Sequence, residues 1–240
     1  MGKPTSGGAG GSGGRQRAVP PAPPPPPPPP PAPPKVRNIA IDEVDDAFKD
    51  LQTFMGRKLS ASEVGDMIGA PDGSTISIDT LDNVFYLRSS QTDIEDMDQR
   101  LYREDGKLVL YNESIVLNSD APKGMGTQII TRQVEAARQL GIGKIKLFAA
   151  GSPGSTDMNG YYTWPRLGFD AKIPNTAAIP RAIRETMRDN TMLELYRTQA
   201  GRDWWSAKGD GFGMEFDTSP NSKSSQALDA YNEERRKRSG

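Results

Sequence analysis

The sequence predicts an α/β (α+β) domain built on a mixed, mostly antiparallel central sheet flanked by helices, with a helical insertion before the last strand. Three observations predict it. Between residues 75 and 117, short apolar runs with strand-like alternation follow one another, parted by turn-forming residues. Helical spacing then runs from Gly126 to Leu140 and gives way to a well-buried strand pattern over residues 144–150. The last alternation, Phe212, Met214 and Phe216, comes only after interrupted helical spacing over residues 176–206, with Trp204 and Trp205 near its end.

In chain order, residues 1–37 read as a disordered arm. Of the 21 prolines, 14 fall in residues 1–34, and 13 of the 15 residues from 20 to 34 are proline. A Gly/Ser stretch precedes them. Such a segment buries no apolar surface, and its proline part favours a polyproline II rod of about 45 Å at about 3.1 Å per residue. It serves either as a spacer or as a ligand for a protein partner.

The folded domain is expected over residues 38–240. Ile39, Ile41, Val44, Ala47, Phe48 and Leu51 recur at helical spacing as far as Met55, with Gly56 as C-cap. Ser60-Ala61-Ser62-Glu63 opens a second helix that Gly69 and Pro71 end. Strands are expected at 75–79, 83–88, 97–103 and 108–117, with Glu104-Asp105-Gly106 as the hairpin turn between the last two. Asp93, Glu95, Asp96 and Asp98 form an acidic cluster that alternation divides between two faces, which suits a solvated edge strand better than a metal site.

In the fourth strand the polar triplet Asn112-Glu113-Ser114 interrupts the apolar alternation, the mark of a bulge or splayed strand. Strand, glycine turn, helix and strand then make a βαβ unit. Residues 224–238 read as an amphipathic helix whose closing basic run, Arg235-Arg236-Lys237-Arg238, suits a solvated helix C-terminus.

Composition narrows the chemistry. The 240 residues include neither cysteine nor histidine. That excludes disulfides, thiol nucleophiles, Cys- or His-ligated metals and imidazole base catalysis. Proton transfer would fall to carboxylates, phenols, lysine or water. The arm carries five basic side chains and no acid, which leaves 25 basic against 31 acidic for the remainder. A net of −6 argues against nucleic-acid binding through phosphate neutralisation. No apolar run has the length of a membrane span, so no membrane partner and a cytoplasmic location are expected.

Two local motifs, set in this order of elements, resemble the GNAT superfamily of N-acetyltransferases. Ala121-Pro122-Lys123-Gly124-Met125-Gly126-Thr127 resembles its pyrophosphate-binding loop, usually written Gln/Arg-x-x-Gly-x-Gly/Ala. Trp164-Pro165-Arg166-Leu167-Gly168-Phe169 is similar to its Tyr-x-x-Leu-Gly-Phe element. The likeness spans residues 60–172 and 212–217, with 176–206 as an insertion. It implies a GNAT-like fold and acetyl transfer from acetyl-CoA to a primary amine, with no metal. Leu117, Lys123, Gly124, Met125, Gly126 and Thr127 would bind the CoA moiety. Glu113 on the interrupted strand would be the base, and Tyr161 or Tyr162 the acid. The loop also has its own rationale, because glycines let the backbone approach an anion at a helix N-terminus.

Two departures qualify the likeness. Ala121 stands where the superfamily usually has Gln or Arg. Trp164 stands where many members carry an acidic tyrosine, and an indole donates no usable proton. They favour the alternative of a catalytically inactive GNAT-like interaction or assembly module, tethered by its proline arm.

Overall fold

A computed structural model describes Gly2, residues 37–42, 46–155 and 158–239, with only the backbone of Ser239. The proline-rich arm, and the partner role expected of it, lies outside the described residues apart from Gly2 and Arg37. Residues 36–240 form one compact unit. Arg37 is tied into it, with Nη1 2.6 Å from Asp66, Nε 2.7 Å from Asp72, and a further bond to the Ala70 carbonyl.

Seven strands form a single mixed sheet in sequential order: β1 (Ala40–Asp42), β2 (Thr75–Leu81), β3 (Val84–Ser90), β4 (Ile94–Glu104), β5 (Lys107–Leu117), β6 (Ile142–Phe148) and β7 (Gly213–Asp217). β1 runs parallel to β2 and β5 parallel to β6, and every other pair is antiparallel. The expected meander is therefore present, and its turns follow from composition. Asp82-Asn83 and Asp105-Gly106 all take positive φ, as two-residue hairpin turns that match strand twist require.

Two expectations need correction. Residues 39–42 do not extend the first helix, which is α1 (Ala47–Met55). Ile41 instead pairs with Ile76 in a three-residue edge strand, where sheet pairing outweighs the helical spacing. The acidic cluster lies on an edge only in part: β4 sits between β3 and β5, but its pairing with β3 reaches no further than Asp98 opposite Arg88, so Asp98 is inside the ladder while Glu95 and Asp96 have β5 alone beside them. Its charge is partly compensated there by Arg88, whose Nε reaches Asp98 at 2.8 Å.

Register gives the sheet one apolar face. Ile78, Leu87, Leu101, Leu110, Ile145, Leu147, Met214 and Phe216 share it, and all are buried. Helices α2 (Ala61–Ile68) and α3 (Met125–Leu140) pack there against each other, and α3 also packs against β6. α2 begins with a full capping box between Ser60 and Glu63, as its sequence indicates. The insertion is helical and broken: a 3₁₀ turn at Thr176–Ala178, then α5 (Arg181–Arg184), α6 (Met192–Tyr196) and α7 (Gln199–Lys208). It follows α4 (Gly160–Arg166) and precedes β7. Leu167-Gly168-Phe169 seats the last helix, α8 (Lys223–Ser239). Phe169 packs edge-on against Phe216 at 5.5 Å, and a side chain at Gly168 would strike the Ser224 carbonyl.

Among the described residues, no helix is long and apolar enough to cross a membrane, and no group of three or more acidic side chains is placed to hold a metal ion.

Candidate functional site

The site is built where β5 and β6 part. Their parallel pairing starts at Leu108 opposite Ile142 and ends at Asn112 opposite Leu147. β5 continues to Leu117 without β6 beside it, so among the described residues no strand pairs with that edge past Asn112. On its other side β5 stays paired with β4, but the register steps from Asp98 opposite Ser114 to Gln99 opposite Asn112. Glu113 is the extra residue, so the polar triplet is a β-bulge, as its sequence predicts.

Glu113 is exposed and ion-paired with Arg100, whose guanidinium carbon lies 4.8 Å from the centre of the Tyr111 ring. These three share the sheet face opposite the helices. On the helix side, Asn112 is buried and bonded to Gln133 of α3, which also donates to the Ile68 carbonyl at 2.8 Å. The neck of the divergence is thus held by a polar tie between β5, α2 and α3.

From Leu117 the chain turns through Asn118, whose side chain donates to the Thr92 carbonyl at 2.7 Å, and enters α3 at Gly124. Gly124 is the N-cap, at φ +89°, and no side chain caps this helix end. Met125 N–H closes on the Pro122 carbonyl, while the N–H groups of Gly126 and Thr127 take no acceptor among the described residues. A side chain at Gly126 would meet only Leu117 Cδ1, at 3.8 Å, so this turn is open to close approach. Lys123 is exposed beside it. Leu117, Lys123, Gly124, Met125, Gly126 and Thr127 therefore sit together at one end of the divergence.

The basic run at the end of α8 adds a residue that sequence reasoning missed. α8 lies antiparallel along α3: Arg138 Nη2 donates to Ser225 Oγ at 2.7 Å and Asn232 Nδ2 to Thr131 Oγ1 at 3.3 Å. One turn further, the Arg235 guanidinium lies where a side chain on Gly124 would go. Between the two helices runs a groove of about 570 Å³ lined by Thr127, Thr131, Arg132, Glu135, Asn232 and Arg235 among others. Burial pushes the Glu135 carboxyl up. Burial, with Arg37 nearby, pulls the Arg132 guanidinium down. No local signal in the sequence links Arg235 to a loop 111 positions earlier.

Tyr161 and Tyr162 stand at the start of α4, which meets the chain just past the end of β6 through the Tyr161 N–H, donated to the Ala150 carbonyl at 3.0 Å. Tyr161 is buried, its hydroxyl donating to the Ser206 carbonyl at 2.9 Å and its own carbonyl accepting from Trp205 Nε1. Tyr162 is half-buried between the Tyr161 and Tyr196 rings, with Arg166 over it at 5.4 Å. Neither hydroxyl bonds Glu113. Trp164 packs edge-on against Phe169 at 5.4 Å. A second cavity, about 650 Å³, opens near β5, β6 and β7 and is lined by Tyr111, Lys146, Asp170, Lys172, Glu215 and Lys223 among others. A scan of the chain against protein-family models finds no match, and a search of curated proteins finds none either.

Proposed function

We propose that the domain is a GNAT-like N-acyltransferase that takes an acyl group from acyl-CoA to a primary amine. The observation that carries the reading is the divergence of β5 from β6 past Asn112, with the uncapped Gly124-Met125-Gly126 turn at the same end. An open parallel edge offers unpaired backbone groups to an extended amide chain, and an uncapped helix N-terminus suits a pyrophosphate. Gly126 leaves the space that close approach needs.

Acyl-CoA supplies an activated thioester, so the amine nitrogen bonds to the acyl carbon as the carbon–sulfur bond breaks and the thiolate leaves. This chain's part is to align the two and handle one proton. Glu113 accepts that proton from the amine, directly or through water, and Arg100 holds its carboxylate in place. Open N–H groups on β5 polarise the carbonyl, and positioning supplies most of the rate. Tyr162 is the phenol left to protonate the thiolate, because the Tyr161 hydroxyl is engaged with Ser206; otherwise the proton comes from solvent.

The test is calorimetry or thermal shift with acetyl-CoA, followed by thiol-release assays over a panel of amines. Absence of any shift at millimolar ligand removes the reading. The second reading, an inactive GNAT-like interaction or assembly module, draws on the engagement of Tyr161 with Ser206 and of Glu113 with Arg100. It expects no thiol release with any amine, and a protein partner whose capture fails when residues 1–37 are deleted.

A further inference from the structure

We propose that the protein holds an internal cluster of ordered water between its sheet and helices α2 and α3, bound by Gln99, Ser89 and Ser74. Gln99, on β4, is 1% exposed, and neither its amide oxygen nor its amide nitrogen takes a hydrogen-bond partner among the described residues. The same holds for the hydroxyls of Ser89 on β3, 3% exposed, and of Ser74 just before β2, 1% exposed. Register gathers the three on the face that the helices cover. Gln99 stands opposite Leu87 of β3 and Asn112 of β5, Ser89 stands opposite Ile76 of β2, and Ser74 is in phase with Ile76. Ser89 is thus the diagonal neighbour of both Gln99 and Ser74, at about 7–8 Å, a gap that a glutamine side chain and one water close.

The ladder parts at the same place. β3 pairs with β4 only as far as Arg88 opposite Asp98; Ser89 and Ser90 then pair with β2 alone, and residues 94–97 have β5 alone beside them. The protein has little else to offer these groups. Gln133 spends its amide on Asn112 and the Ile68 carbonyl, which leaves Asn112 one N–H and spare lone pairs. Buried atoms left without partners cost a domain a large share of its stability. An uncharged amide and two hydroxyls balance no ion, but together they donate and accept, as water does. At about three bonds per buried water, about two waters serve them. The cluster carries the Asn112–Gln133 tie across β4 to β3, and it does not depend on the acyl-CoA reading.

The test is a high-resolution crystal structure of the full chain, for wild type, Gln99→Leu and Ser89→Ala. The expected result in wild type is water, closed off from bulk solvent, at about 2.7–3.2 Å from the Gln99 amide and the Ser89 hydroxyl. A Gln99 amide bonded directly to Asn112 or Ser89, or one with no water beside it, overturns the proposal. Each variant should lose water from the cluster while the two bonds between Asn112 and Gln133 remain. Water unchanged in both variants overturns the assignment of these side chains as its ligands. Cross-peaks between long-lived water and the Gln99 amide protons in solution NMR of the wild type give the same readout without crystals, and their absence counts against the cluster.

Discussion

Asn112 on β5 and Gln133 on α3 exchange two amide hydrogen bonds, each 2.9 Å, between side chains that are both buried. The pair sits at the last residue of β5 that still pairs with β6, so it fixes α3 over the point where the strands part. Asn112→Leu would strand a buried carbonyl of Gln133 and is expected to cost about 1–3 kcal/mol. The double variant Asn112→Leu/Gln133→Leu should cost less than the two single changes together, since neither amide is then left alone, although the Ile68 carbonyl still loses its donor. Urea denaturation of the four proteins measures the coupling.

The two loop glycines should separate folding from binding. Gly124 holds φ +89° and borders Arg235, so Gly124→Ala is expected to cost about 1–2 kcal/mol of stability as well as affinity for acetyl-CoA. Gly126 is helical with open space at its Cβ, and alanine there should leave stability equal or higher by up to about 1 kcal/mol. Its added methyl would still obstruct a ligand's approach. Thermal melts set against calorimetry distinguish the two.

Glu113→Gln should slow turnover by roughly 10²-fold, the scale of a lost general base, without changing acetyl-CoA affinity. Because both partners of the Arg100 pair are more than a third exposed, the same change should alter stability by less than about 1 kcal/mol. Single-turnover rates beside calorimetry check both statements. Equal losses in rate and affinity would count against a role in proton transfer.

Asp170 makes stability depend on pH in an unusual direction. Burial pushes its carboxyl up, against the pull of hydrogen bonds from Leu193 and Ala171 N–H groups. A folded-state value above the ordinary 3.8 means that ionisation costs stability at neutral pH, and that the cost is relieved as pH falls through the raised value toward 3.8. Asp170→Asn keeps an oxygen for both N–H donors and carries no charge. It should melt higher than wild type at pH 7, with the gap closing on acidification. Melting curves from pH 7 to 4 test this.

What was legible in the sequence was local. Ser60 and Glu63 announce the capping box, Asp105-Gly106 announces its hairpin, and the polar Asn112-Glu113-Ser114 inside an apolar run announces the bulge. These signals work because the interacting groups are neighbours in the chain. Gln133 carried a weaker sign, a polar residue in helical phase with Ile129, Ile130 and Val134, whose explanation needed Asn112 opposite it. The strand at residues 40–42 failed because three residues in helical phase look helical until a parallel partner is known. Arg235 had no local sign at all, since only the packing of α8 along α3 brings it to Gly124, and the engagement of Tyr161 with Ser206 depends in the same way on a helix 45 positions later.

The limited pairing of β5 with β6 also gives the sheet an occupancy gauge. Amide protons of residues 108–112 that point toward β6 are held in the ladder and exchange with solvent only when it opens. Those past Asn112 that point the same way meet no strand among the described residues and should exchange far sooner. A molecule lodged between the two strands would slow the second group while leaving the first untouched. Deuterium uptake along this one strand would therefore register a bound donor, whether or not any acyl group is transferred.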